Sequence, residues 1–235
     1  GRFDGKNAAQ NIIAAIIEYL GENGTLVAPT FNFDFCKGET FDRQNTTSKN
    51  MGVLSESVRL FPGSERSLHP MQSVAAIGKF AANICERNTP SAFSPGGSFD
   101  RLLKLNAKLL LFGVNFNAAS FFHYAEEDKR VPYRYFKSFS GEYIDRGVSE
   151  KRENQLYVRY LELNPQLNLR NLEARMDSEG NLRKAKLGMG EILVCDFKDL
   201  YETACEMLEK DLLIFVKNKE EVREKLNNQS VKSSI

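Results

Sequence analysis

Three short apolar runs constrain this chain more than any other feature. Thr25-Leu26-Val27-Ala28 is ended by Pro29, Ser73 to Ile77 is followed by Gly78, and Lys108-Leu109-Leu110-Leu111-Phe112-Gly113-Val114 is the longest. Each is too short for a core helix and is bounded by turn residues, so each reads as a buried strand. Between them the apolar spacing becomes helical. Ile12, Ile13, Ile16, Ile17 and Leu20 line one face of a segment from Asn7 to Leu20 that stops at Gly21. Met51 to Leu60 stops at Pro62-Gly63, and further helices are expected from Gly78 to about Arg87 and from Phe99 to Leu105. Strands alternating with helices predict an α/β fold with a central sheet flanked by helices. From Tyr133 to Leu163 the text alternates and is rich in Tyr and Phe, which predicts an antiparallel aromatic-rich ribbon in the C-terminal half. We expect a single domain over residues 1–235, with an antiparallel sub-region over about 133–185. Asp196 to Leu208 is expected to be a final helix, Asp211 to Val216 a last strand, and 217–235 a charged tail.

Charge and composition exclude several function classes. Lys and Arg number 32 against 31 Asp and Glu, a formal net charge of +1, so no global basic field draws the chain to nucleic acid or an anionic membrane. Hydrophobic residues at 42% and aromatics at 11% exclude intrinsic disorder. Cys36, Cys85, Cys195 and Cys205 form no CxxC pair, which argues for reduced thiols and a cytoplasmic location. No apolar run reaches the ~18 residues of a membrane span.

Only two histidines, His69 and His123, are available for imidazole chemistry. His69 lies in Arg66-Ser67-Leu68-His69-Pro70-Met71-Gln72-Ser73, where the following proline favours an extended backbone. The hydroxyls of Ser67 and Ser73 can meet it or a ligand, or the imidazole can bond the backbone of a neighbouring turn; both readings stay open. His123-Tyr124-Ala125-Glu126 is sharper. Three residues apart on a helix, His123 and Glu126 share a face, so the carboxylate can orient the ring and leave its other nitrogen basic. An ordinary surface pair and a metal site are the competing readings, although only one such pair occurs. No GxSxG, GxGxxG or Walker lysine loop appears. Cys36 and Cys85 lie in no recognisable activating context.

The series Gly24-Thr25-Leu26-Val27-Ala28-Pro29-Thr30-Phe31, Met51-Gly52-Val53-Leu54-Ser55-Glu56 with Arg59, Pro62-Gly63, Arg66-Ser67-Leu68-His69-Pro70 with Ser73, Ser94-Pro95, Lys108 to Val114 and His123-Tyr124-Ala125-Glu126 resembles the aminoglycoside 3-N-acetyltransferase family in order and spacing. The resemblance implies an acetyl-CoA-dependent N-acetyltransferase, distinct from the GNAT fold, with His123 as general base and Glu126 as its acidic neighbour. It implies Thr30, Phe31, Ser67 and Ser73 at the coenzyme, Asp34 and His69 at the substrate, and no metal. The partner is a small-molecule amine, with a homo-oligomer left open. Family members usually carry another strand and a His-Ser-Ser-type loop ahead of the segment matching Gly1-Arg2, so that strand is expected to be absent. The loop before Met51 looks short, with Asp34, Glu39 and Asp42 as its carboxylates. With the near-neutral charge, this favours an endogenous amino sugar over a polycationic antibiotic. A degenerate binding-only member and a metal-assisted hydrolase are the rival readings.

Overall fold

The structure is a computed structural model that describes residues 5–188 and 190–232. In chain order its first elements are α1 (Gly5–Leu20), β1 (Thr25–Pro29), β2 (Phe41–Asp42), α2 (Gly52–Arg59), β3 (Glu65–Arg66), β4 (Val74–Gly78), α3 (Ala81–Cys85), α4 (Ser98–Lys104), β5 (Lys108–Phe112) and α5 (Phe122–Asp128). Then follow β6 (Arg134–Asp145), β7 (Val148–Arg159), α6 (Arg170–Ser178), β8 (Arg183–Leu187), β9 (Gly190–Asp196), α7 (Phe197–Lys210) and α8 (Lys219–Lys232). They form two compact units. One comprises the chain up to Arg101 with Ser138–Leu156, the other Leu102–Lys137 with the chain from Tyr157 onward.

In the first unit β4 is the middle strand of a sheet ordered β1-β4-β3. β1 runs antiparallel to β4, with Thr25 opposite Gly78 and Pro29 opposite Val74. Pro29 is tolerated because β1 is an edge strand. Ile13 of α1, Val58 of α2, Ala28 of β1 and Ala75 and Ile77 of β4 form one buried cluster, with Ile17, Leu26, Leu54 and Phe61 packed against it. Of the predicted apolar stripe of α1, Ile13 is fully buried in this cluster and Ile17 packs beside it, and Gly21 at φ +62° ends the helix with its N–H on Ile17 O at 3.0 Å. β2 pairs parallel with β6, Phe41 opposite Tyr143, and the two rings stack 5.5 Å apart. β6 and β7 are joined by Arg146 and Gly147, both at positive φ (50° and 79°), the geometry of a two-residue hairpin turn whose twist suits antiparallel strands.

In the second unit β9 is central in a sheet ordered β5-β9-β8, antiparallel on both sides. Its helical core carries Leu172 and Met176 of α6 and Leu200 and Leu208 of α7, all fully buried. Phe121 stacks on Phe197 at 3.9 Å, and Phe122 meets Phe215 edge-on at 5.0 Å. Together these seat α5.

Two expectations need correction. Among the described residues the single central sheet is replaced by three three-stranded sheets, because the runs at 25–29 and 108–112 find antiparallel partners in different segments, β4 and β9. Asp211–Val216 is a series of turns carrying one isolated bridge, Leu167 to Val216, since Asp211 accepts the Leu213 N–H and folds the backbone over. The strand beside β5 is instead β9, whose partly exposed alternation gave no continuous apolar run. Among the described residues no helix is long and apolar enough to cross a membrane.

Candidate active site

α5 is short and almost wholly internal: Phe122, Tyr124, Ala125, Glu126 and Glu127 are all buried. A 3-10 turn at Phe116–Ala118 leads into it, capped by the Asn115 side chain, which accepts the Asn117 N–H. His123 has a side chain 34% exposed, over a fully buried Glu126.

The geometry around that carboxylate is specific. His123 Nδ1 lies 2.5 Å from Glu126 Oε2, and Arg134 Nη2 lies 3.0 Å from the same oxygen. The Tyr133 phenol donates to the other oxygen, Oε1, at 2.7 Å. Arg134 Nη2 also sits 3.4 Å from His123 Nδ1, and its Nη1 donates to the Tyr157 carbonyl at 2.9 Å. Burial by itself would raise the Glu126 carboxyl, yet the charge and hydrogen bond of His123, then Arg134 and Tyr133, hold it below the ordinary carboxylate value. An ionised carboxylate only accepts, so Nδ1 carries a hydrogen, and in the neutral ring Nε2 holds the lone pair. That is the tautomer a general base requires. Burial first, and Glu126 second, push the Tyr133 phenol well above its usual range, so it is a fixed donor.

The other expected site residues lie in the first unit, and most face inward. Thr30, Ser67 and Ser73 have no exposed surface and Phe31 is 4% exposed. Ser73 Oγ donates to Thr30 O at 2.9 Å, Thr30 N donates to Ser73 O at 2.8 Å, and Ser67 Oγ accepts the Val74 N–H at 2.9 Å. Arg66 ties them together: its Nε reaches Ser73 Oγ at 3.0 Å, its Nη2 Thr30 O at 2.8 Å and its Nη1 the Thr46 carbonyl. These hydroxyls therefore hold a loop around a buried guanidinium.

His69 is likewise held within the fold. Its Nδ1 accepts the Gln72 N–H at 3.0 Å, so its Nε2 is the protonated nitrogen that faces Gln155 O at 3.2 Å. Burial lowers it to about 4. Both nitrogens are occupied and the ring is neutral at ordinary pH, which is the backbone-bonding alternative of the two readings. Asp34, by contrast, lines a cavity of about 420 Å³ with Asn32, Phe41, Lys37, Lys49 and Glu39. It is paired with Lys37 at 3.3 Å and with Lys49.

A thiol nucleophile gains no support from Cys85, whose thiol burial pushes up to about 12. Among the described residues no three His, Cys, Asp or Glu side chains gather to hold a metal ion. Tyr133 and Arg134 were not legible as site residues. The nearer bases, Lys129 and Arg130, lie instead on Glu209 at 2.6 Å and over the Phe136 ring at 4.7 Å.

The family model described as aminoglycoside 3-N-acetyltransferase matches residues 1–209. Aminoglycoside N(3)-acetyltransferase IV from Salmonella sp is 29% identical over 209 residues, covering 87% of this chain and 76% of that protein. Among solved structures, the binary complex of AAC-IIIb with CoASH superposes with a TM-score of 0.76 at 19% identity, covering 86% of this chain and 83% of that one. A histidine-to-alanine mutant of AAC(3)-IVa in complex with apramycin gives a TM-score of 0.72 at 23% identity, covering 89% and 81%.

Proposed function

Because this chain belongs to the aminoglycoside 3-N-acetyltransferase family, a family of acyltransferases, we propose that it transfers an acetyl group from acetyl-CoA directly to an amine of an amino sugar or aminoglycoside-like acceptor, with His123 as general base. The observation that carries this reading is the His123–Glu126 contact at 2.5 Å, with Glu126 buried and ionised. An amine acceptor is mostly an ammonium at neutral pH and is no nucleophile until it loses a proton. His123 Nε2 takes that proton, while Glu126 holds the orientation of the ring through Nδ1. When bound, acetyl-CoA supplies a thioester-activated acetyl group. As the amine nitrogen bonds to the acetyl carbon the carbon–sulfur bond breaks, and the surplus proton of that nitrogen passes to the sulfur, which leaves as the CoA thiol. CoASH in the AAC-IIIb complex supports this choice of donor. The buried hydroxyls of Thr30, Ser67 and Ser73 do not fit as direct contacts to it, so their part is to fix the loop on which Asp34 stands.

Asp34 is the residue we assign to the acceptor side. The carboxylates lining its cavity, Asp34 and Glu39, are matched by Lys37 and Lys49. A lining without excess negative charge suits an acceptor with few ammonium groups better than a polycationic drug. Thiol release from acetyl-CoA across a panel of amino sugars and aminoglycosides tests the reaction. Turnover with at least one amine, lost in a folded His123→Ala protein, is expected; acetyl-CoA binding with no thiol release over the panel would instead establish a binding-only protein.

A further inference from the structure

We propose that Arg134 is the positioning residue that keeps His123 a free base, by making the neutral imidazole the charge-balanced state of the cluster around Glu126, a role that rests on the reading of His123 as the base. Three charge-bearing groups meet at one carboxylate oxygen. Glu126 has no exposed surface, and its Oε2 is shared by His123 Nδ1 and Arg134 Nη2 at 2.5 and 3.0 Å. A buried carboxylate beside a histidine, with no other charge present, favours the imidazolium, because the pair is then neutral. Such a histidine is oriented but already protonated. With Arg134 in place the carboxylate and guanidinium sum to zero while the imidazole is neutral, and protonating the ring leaves an uncompensated positive charge.

Arg134 is held for this task. Its side chain is 10% exposed, and Nη1 is anchored on Tyr157 O at 2.9 Å. Its Nε is a buried donor with no partner, so the guanidinium forgoes one hydrogen bond to bring Nη2 to Oε2.

The other groups facing this region are already committed. Tyr133 donates to Oε1 as a neutral phenol. From β7, the Tyr157 phenol donates to Val131 O at 2.9 Å and is pushed by burial up to about 12. On α5, Glu127 is buried and engaged, while from α7 Tyr201 donates to Asp128 at 3.0 Å and Glu209 accepts from Lys129 at 2.6 Å. Arg130 lies over the Phe136 ring. None of these replaces a guanidinium on Oε2.

The chain's two histidines make a direct test practical, since imidazole NMR resonances need only be divided between His69, buried and neutral, and His123. In Arg134→Gln the pH midpoint of the His123 resonance is expected to rise by about one to two pH units. The acid limb of kcat/KM for thiol release should move with it, so that activity falls near pH 6.5 and returns at alkaline pH. Arg134→Lys, which keeps the charge, should retain the parent midpoint. Glu126→Gln/Arg134→Gln, which removes both charges, should return it close to the parent value.

An Arg134→Gln protein with an unmoved midpoint, and activity reduced by one factor at every pH, would overturn the proposal and leave Arg134 a structural residue. An Arg134→Lys midpoint raised as far as that of Arg134→Gln would overturn it too. Should Arg134→Gln not fold, the double variant decides, since a midpoint still well above the parent would show that Arg134's charge was not what held it down. The resonance reads proton occupancy whether or not acetyl transfer occurs, so a failed enzyme assay and a failed role for Arg134 are separate results.

Discussion

Lowering the pH from 7 to 5 protonates imidazoles in an unfolded chain, but His69 in the folded protein cannot follow. Its ordinary value is 6.5 and burial holds it at about 4, with Nδ1 accepting from Gln72 N and Nε2 facing Gln155 O. The unfolded state therefore binds the extra proton first. The stability His69 contributes is fully present above pH 6.5 and is lost as pH falls toward 4. At 1.36 kcal/mol per pH unit over that interval, the loss approaches about 3 kcal/mol, of which about 2 kcal/mol is reached by pH 5. With His69 only 4% exposed there is little solvent screening to discount. Against the roughly 5–15 kcal/mol of a typical folded protein this is a large share. The assay is urea unfolding at half-unit steps from pH 7.5 to 4.5 for the parent and for His69→Gln, comparing slopes so that His123 cancels. The depressed carboxylates act lower: Glu56, held at about 2 against an ordinary 4.5, contributes in the window between those values. Parallel stability curves between pH 7 and 5, or a His69 resonance titrating near 6.5, would refute the reasoning.

Gly78 stands at φ +122°, where an added Cβ would lie 2.3 Å from Gly24 O and 3.0 Å from Thr25 Cα. Gly78→Ala should cost about 2–4 kcal/mol in a thermal or urea melt, and a change within error would mean the β1–β4 end can open. Arg66→Met removes the donors that hold Thr30 O, Ser73 Oγ and Thr46 O and should cost about 3 kcal/mol. Arg66→Lys should recover little of it, because one ammonium cannot span the three acceptors, and full recovery in the same melt would contradict that geometry. Cys85, buried and pushed up to about 12, should react with a disulfide reagent at pH 8 only as fast as the protein unfolds; rapid modification of the folded protein would show the thiol to be reachable.

What could be read in one dimension follows from the range of each interaction. The α1 stripe was legible because burial on one face imposes a period that survives in the text, and the runs that became β1, β4 and β5 because their apolar residues are contiguous and stop at turn residues. The partners of those runs were not. An apolar run carries no mark of direction, and β3, two charged residues at Glu65–Arg66, carries no apolar signal at all although it closes the β4 sheet. The same divide runs through the site. His123 and Glu126 are three residues apart, so the helix itself brings them together. Thr30, Ser67 and Ser73 read as ligand hydroxyls because a loop hydroxyl looks alike whether it faces a substrate or a buried arginine; only the burial of Arg66 distinguishes the cases.

Arg134 is the hardest case. Lys129, Arg130 and Arg134 all follow Glu126 within eight positions, and what selects Arg134 is tertiary. α7 brings Glu209 to Lys129, the Phe136 ring takes Arg130, and the Tyr157 carbonyl fixes Arg134 beside Glu126. A histidine–carboxylate pair set by helical spacing can be read from a sequence. The charge balance that decides whether its histidine is a base or an acid depends on three other segments, and it becomes readable only once they are folded together.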